Sequence, residues 1–111
     1  MQTLTTTLSF SETLECCKNL LTQHYGEKLQ GVTLFGSAAR QEMTAESDID
    51  LLVVLSQPFD YFSELRAVVD LLYDTQLEAS HWISAKPAAQ AEFTTGTIQL
   101  YRNIQKEGVR L

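Results

Sequence analysis

Five consecutive apolar residues, Leu51 to Leu55 (LLVVL), constrain this chain more than any other feature. Side chains alternate from face to face along a strand, so an unbroken apolar run is buried on both sides. With Ile49 in front and Ser56-Gln57-Pro58 behind, residues 49–55 predict a strand central in its sheet. Asp48 and Asp50 are at odds with that environment, because they put two carboxylates on one face at the mouth of the same strand. Their Cα atoms lie about 7 Å apart in an extended chain, and like charges at that spacing oppose burial. Magnesium resolves the conflict, since each carboxylate then faces a divalent cation rather than only another anion.

Val32 to Phe35, between Gly31 and Gly36, predicts a second, shorter strand. Gly36-Ser37 follows at a strand-to-helix turn that runs to about Glu42, and a polar loop covers 43–47. Glycine lets a phosphate approach the backbone, and the Ser37 hydroxyl and the next N–H groups can donate to it. Arg40, one turn on, can add positive charge. A phosphate cradle after one strand and a metal site on the next suits a nucleoside triphosphate, although the P-loop pattern G-x-x-x-x-G-K-S/T is absent. Taken singly, Gly36-Ser37 is also an ordinary turn, Asp48-Ile49-Asp50 an ordinary polar strand start, and Arg40 a solvated helix residue.

The remaining elements follow from periodicity and caps. Residues 1–8 form a threonine-rich, extended lead-in, and Ser9-Phe10-Ser11-Glu12 fits a capping box that opens a helix. Leu14, Cys17, Leu21 and Tyr25 make its stripe, and Gly26 stops it. A second helix spans 60–77, on Phe62, Leu65, Val69, Leu72 and Gln76. A third strand covers 80–84 and ends at Lys86-Pro87; 93–97 is a loop, and a last helix over 98–107 is closed by Gly108. Trp82 belongs to the core, His81 is structural or exposed, and His24 lies on the surface. The expected architecture is one α/β (α+β) domain over residues 1–111, a short mixed sheet with helices mainly on one face.

With 14 acidic against 8 basic residues and a net charge of −6, direct nucleic-acid binding is disfavoured, because phosphate-backbone contacts need clustered Lys and Arg. A nucleotide held through metal ions remains open, since the metal brings its own charge. The adjacent Cys16 and Cys17 are poorly placed to bridge each other and read as reduced thiols in or near the core. No run is long enough to span a bilayer and no signal-like start is visible, so the expectation is a cytoplasmic protein with no membrane contact.

Ten residues, 38–47, separate Ser37 from Asp48. The resulting G-S-x10-D-x-D, with "AAR" after Gly-Ser and "SDIDLLVVL" at the acids, resembles the nucleotidyltransferase signature of the DNA polymerase β superfamily. In size the chain resembles the minimal nucleotidyltransferases (MNT), over about residues 10–85, and the tail "LYRNIQKEGVRL" is similar to the ends of several of them. The resemblance implies a polymerase β-like nucleotidyltransferase fold, Gly36 and Ser37 as triphosphate contacts, and Asp48 and Asp50 as catalytic Mg²⁺ ligands, with ATP as substrate. Such proteins are commonly antitoxins paired with a HEPN-domain ribonuclease toxin, which some neutralise by moving AMP from ATP to a toxin tyrosine.

Two departures stand out. Many relatives carry glycine where this chain has Gln41. The superfamily usually has a third acid on the next strand, yet "SHWIS" holds none. Ser80 stands near that place, Asp74 falls on the preceding helix, and Glu78, one pleat earlier on the same side, is the nearest substitute ligand. Two readings follow: a Mg²⁺-dependent protein adenylyltransferase, or an MNT fold that silences a HEPN partner by binding alone. A small-molecule or tRNA-end nucleotidyltransferase working with a separate binding subunit is a third, and the acidic surface disfavours tRNA.

Overall fold

Ser9 opens the first helix (α1, Phe10–Tyr25) with the reciprocal bonds of a capping box. The Glu12 N–H donates to Ser9 Oγ at 3.1 Å, and the Ser9 N–H donates to Glu12 Oε1 at 2.9 Å. The computed structural model describes residues 7–111, so the lead-in expected over 1–8 falls outside it except for its last two residues. After one 3-10 turn (Gly26–Lys28), β1 (Leu29–Phe35) and β2 (Ile49–Leu55) pair antiparallel. There follow α2 (Tyr61–Leu71), α3 (Tyr73–Glu78), β3 (Ile83–Ala89), α4 (Gln90–Thr95), α5 (Gln99–Glu107) and β4 (Val109–Arg110).

The sheet order is β3-β2-β1-β4, with β3 parallel to β2 and β4 antiparallel to β1. The apolar run of β2 is thus central, as its sequence requires. Odd-numbered Ile49, Leu51, Val53 and Leu55 pack with Cys17 and Leu21 of α1, Val32 and Leu34 of β1, and Val68 and Leu72. Even-numbered Leu52 and Val54 pack on the opposite face with Ala88 of β3 and Tyr101 and Ile104 of α5. Helices therefore cover both faces, with α1 and α2 on one and α5 on the other. The mixed sheet is as expected, and α5 joins the helices expected mainly on one face by covering the other, because a strand apolar on both faces needs both covered.

The expected helix over 60–77 breaks at Leu72, whose φ of −92° and ψ of 3° separate α2 from α3. Its buried line runs through Val68 and Leu72, while Phe62 is 75% exposed and Val69 also faces out. Strand β3 is displaced from the expected 80–84 and runs straight through Lys86-Pro87. It lies at the edge of the sheet, where only one side is hydrogen-bonded and a residue without an N–H is tolerated. Trp82 then falls just before the strand and is 64% exposed, not core. Most of the expected loop over 93–97 is the end of α4, closed at Gly96. Gly108 does follow α5, and a Cβ there would lie 2.6 Å from both the Ile104 carbonyl oxygen and Thr33 Cγ2. That close approach lets the chain turn back as β4, a strand the sequence did not announce. Cys16 and Cys17 are free, and burial, helped by Cys16, pushes the Cys17 thiol up to about 12.

Candidate active site

Strand alternation decides which face the site uses. Asp50 shares its face of β2 with Leu52 and Val54, the face covered farther along by α5. Its partner across the antiparallel ladder is Phe35, the last residue of β1, so Gly36 is set down directly beside it. Gly36 has a φ of +78°, and a Cβ there would collide with Asp50 Oδ2 and lie 3.2 Å from Asp50 Cγ. Glycine is needed twice over at this position, for the backbone conformation and for the space the carboxylate fills.

The turn after Gly36 is tight. The Arg40 N–H donates to the Gly36 carbonyl at 3.2 Å, and the Glu42 N–H to the Ser37 carbonyl at 2.8 Å. Ser37 is half-buried, and among the described residues its hydroxyl has no hydrogen-bond partner. Gln41 adopts a φ of +62°, a left-handed conformation that explains why a glycine suits this place. The Arg40 guanidinium reaches Glu42 Oε1 at 3.1 Å and Glu107 Oε1 at 3.4 Å, tying the turn to the end of α5. A cavity of about 260 Å³ opens between this turn and α5, lined in part by Gly36, Arg40, Leu100, Asn103 and Glu107.

Asp48 is exposed and Asp50 half-buried. Burial first, then the neighbouring Asp48, raises the Asp50 carboxyl above its ordinary value, while Lys86 and Arg40 pull it back. The Asp48 charge thus acts on Asp50. An incompletely compensated, oxygen-only pair at the mouth of a strand fits a hard divalent cation that takes its other ligands from water and phosphate. Glu78 does not join it. That residue ends α3 instead of lying on β3, and among the described residues no three acidic, His or Cys side chains gather to hold a metal. Its expected place one pleat before a strand over 80–84 is lost, because β3 begins only at Ile83.

Around the acids, His81 takes the structural one of its two expected places, while Gln76 and Lys86 stand beside the site with no local signal to announce them. His81 Nδ1 lies 2.9 Å from the Ser47 carbonyl and donates to it, anchoring the loop just before Asp48. The Ile49 N–H, between the two acids, donates to the Trp82 carbonyl at 2.7 Å. Gln76 holds the other end: its Nε2 donates to the His81 carbonyl at 3.1 Å, and its Oε1 accepts from the Ile83 N–H at 2.7 Å. Lys86, expected with Pro87 to end the strand, lies instead within β3, on the face of Asp50.

A mixed four-stranded sheet with this order of elements is the fold of nucleotidyltransferases. A nucleotidyltransferase structure from Sulfolobus solfataricus, itself provisionally assigned, superposes with a TM-score of 0.64 at 17% identity, over 88% of this chain and 75% of that one. A toxin–antitoxin complex solved with AMP-PNP superposes with a TM-score of 0.55 at 18% identity, over 86% of this chain and 70% of the other. The family described as "Nucleotidyltransferase domain" matches residues 14–110, and the chain belongs to it. A protein of Methanocaldococcus jannaschii, provisionally named a protein adenylyltransferase, is 39% identical over 61 residues, which are 55% of this chain and 61% of that protein. The chain therefore spans less than two thirds of that relative's length.

Proposed function

We propose that this protein is an antitoxin that transfers AMP from ATP to a tyrosine of a HEPN-domain ribonuclease toxin and so neutralises it. The observation that carries the reading is the packing of Gly36 against the Asp50 carboxylate, which joins the phosphate-binding turn and the acid pair into one site. Gly36, the free Ser37 hydroxyl and the turn's N–H groups receive the β and γ phosphates. Arg40 adds positive charge at the rim of the same cavity. Asp48 and Asp50 are the residues that would hold Mg²⁺. When bound, the ion supplies charge neutralisation for the α-phosphate and the departing pyrophosphate. The tyrosine oxygen bonds to the α-phosphorus, the bond from that phosphorus to its bridging oxygen breaks, and pyrophosphate leaves. The phenolic proton passes to water.

The named function of the Methanocaldococcus relative and the toxin–antitoxin complex among the fold neighbours support this choice over a small-molecule acceptor. So does an exposed apolar strip of Val69, Tyr73, Leu77 and Trp82, which starts at the residue bonded to Ile49 between the two acids. The strip lies on the α2 side of the sheet, opposite Asp50, and suits a protein surface docked beside the site. Among the described residues no helix is long and apolar enough to cross a membrane. The proposed place of action is the cytoplasm, where both ATP and a ribonuclease's substrate are found.

The test mixes the full chain, Mg²⁺ and the HEPN protein with ATP labelled on the α-phosphate. Label on a toxin tyrosine that vanishes with Asp48→Asn bears the reading out. The missing third carboxylate favours a second reading, in which the chain inhibits by occlusion alone. No label, with inhibition preserved in Asp48→Asn, establishes that reading instead.

A further inference from the structure

We propose that Lys86 is a phosphate-binding residue of this site and takes the place of a third carboxylate, so that nucleotide enters with a single divalent cation. The inference rests on the nucleotidyltransferase reading and deepens it. Parallel pairing sets Ser84 of β3 beside Asp50 and Lys86 beside Leu52, all on one face of the sheet. An acid serving as a third ligand on the neighbouring strand would project from this face of β3, and the sequence there, Ser84-Ala85-Lys86, contains none.

Lys86 is half-buried, and among the described residues its ammonium has neither an ion pair nor a hydrogen bond to protein. Its charge nevertheless acts on the Asp50 carboxylate. The stem can lie along the apolar face of Leu52 while the head reaches toward the acids, as long basic side chains do. Arg40 cannot serve equally well, because Glu42 and Glu107 already hold its guanidinium.

Charge decides the consequence. A carboxylate at this position would draw a second cation to the aspartates; an ammonium repels one and attracts a phosphate oxygen. Lysine binds phosphate as a compact point charge, without the fixed fork of arginine. The chain's own cation thus covers part of the charge that a second metal ion would otherwise neutralise.

The experiment measures AMP-PNP and inorganic tripolyphosphate binding by calorimetry, with and without Mg²⁺, on the full chain. Mn²⁺ bound in the presence of AMP-PNP is counted by electron paramagnetic resonance. Lys86→Ala is expected to weaken tripolyphosphate binding by about tenfold or more, and Lys86→Arg to retain most of it. The wild-type chain is expected to take one Mn²⁺, and Lys86→Asp to gain a second. Circular dichroism confirms folding, and the arginine variant keeps the test decisive if the alanine variant is unstable. Unchanged binding in Lys86→Ala, or two Mn²⁺ ions in the wild type, overturns the proposal. Asp48→Asn separates the two levels: if it abolishes nucleotide binding while Lys86→Ala has no effect, only the lysine role falls. If neither variant alters binding, the nucleotidyltransferase site falls with it.

Discussion

Gly36→Ala is the sharpest probe of the site, because two separate costs meet at one atom. A φ of +78° puts any L-residue in the left-handed region, at a cost of about 1–2 kcal/mol. The added Cβ would also overlap the Asp50 carboxylate, with Asp50 Cγ at 3.2 Å and Asp50 Cβ at 3.6 Å. The carboxylate is the movable partner, so it swings away and the acid pair is spoiled. With a urea m-value of roughly 1–3 kcal/mol/M for small domains, the midpoint should fall by about 0.3–2 M. Mn²⁺ affinity should fall further, about 10–100-fold, as for residues that orient metal ligands. The Asp50→Ala background separates the costs. There the nearest remaining neighbour is the Cβ at 3.6 Å, an ordinary contact, so only the backbone cost of the alanine should survive. Equal stability losses in both backgrounds, with Mn²⁺ affinity of the single variant unchanged, would refute the placement of Asp50 against Gly36.

Asp50→Asn should destroy metal-dependent nucleotide binding and yet stabilise the metal-free protein near neutral pH. Burial, then Asp48, raises the Asp50 carboxyl above its ordinary 3.8, so the folded state holds its proton more tightly than the unfolded chain. The resulting penalty is absent below the unfolded value and grows as pH rises through the folded one. The gain from asparagine should shrink as pH falls through the raised folded value towards 3.8 and be gone below it, and urea midpoints across that range that show no convergence contradict it. Gln41→Gly should raise stability by about 0.5–1 kcal/mol, since glycine accepts the φ of +62° without strain; an unchanged or lower midpoint shows the turn is not strained. His81→Ala should cost about 1 kcal/mol by removing the bond to the Ser47 carbonyl. It should also weaken Mn²⁺ binding by freeing the loop before Asp48, and full affinity in a folded variant removes His81 from the site's support.

Local chemistry was enough to read α1 from its capping box, β2 from its unbroken apolar run, and the spacing that joins Gly36-Ser37 to Asp48 and Asp50. Each of these depends on residues near one another in the chain, where periodicity and caps act directly. The break at Leu72 carries no glycine or proline and was invisible for that reason. Strand β3 was misplaced because Pro87 is forbidding in a central strand and harmless at an edge, and only the sheet order says which applies. The shifted strand leaves Trp82 exposed and not core, and Glu78 at the end of α3, away from the place expected for a substitute ligand.

By itself the sequence determined that two carboxylates bracket the first residue of a buried strand next to a glycine turn, because the apolar run and the spacing are local. Only the tertiary structure decided what stands across from them. Parallel pairing of β2 with β3 fixes a register that no local signal encodes, and that register sets Ser84 beside Asp50 and Lys86 one pleat farther along the same face, with no acid at either place. Register comes from the packing of whole faces against α1, α2 and α5, so it exists only once the sheet is assembled.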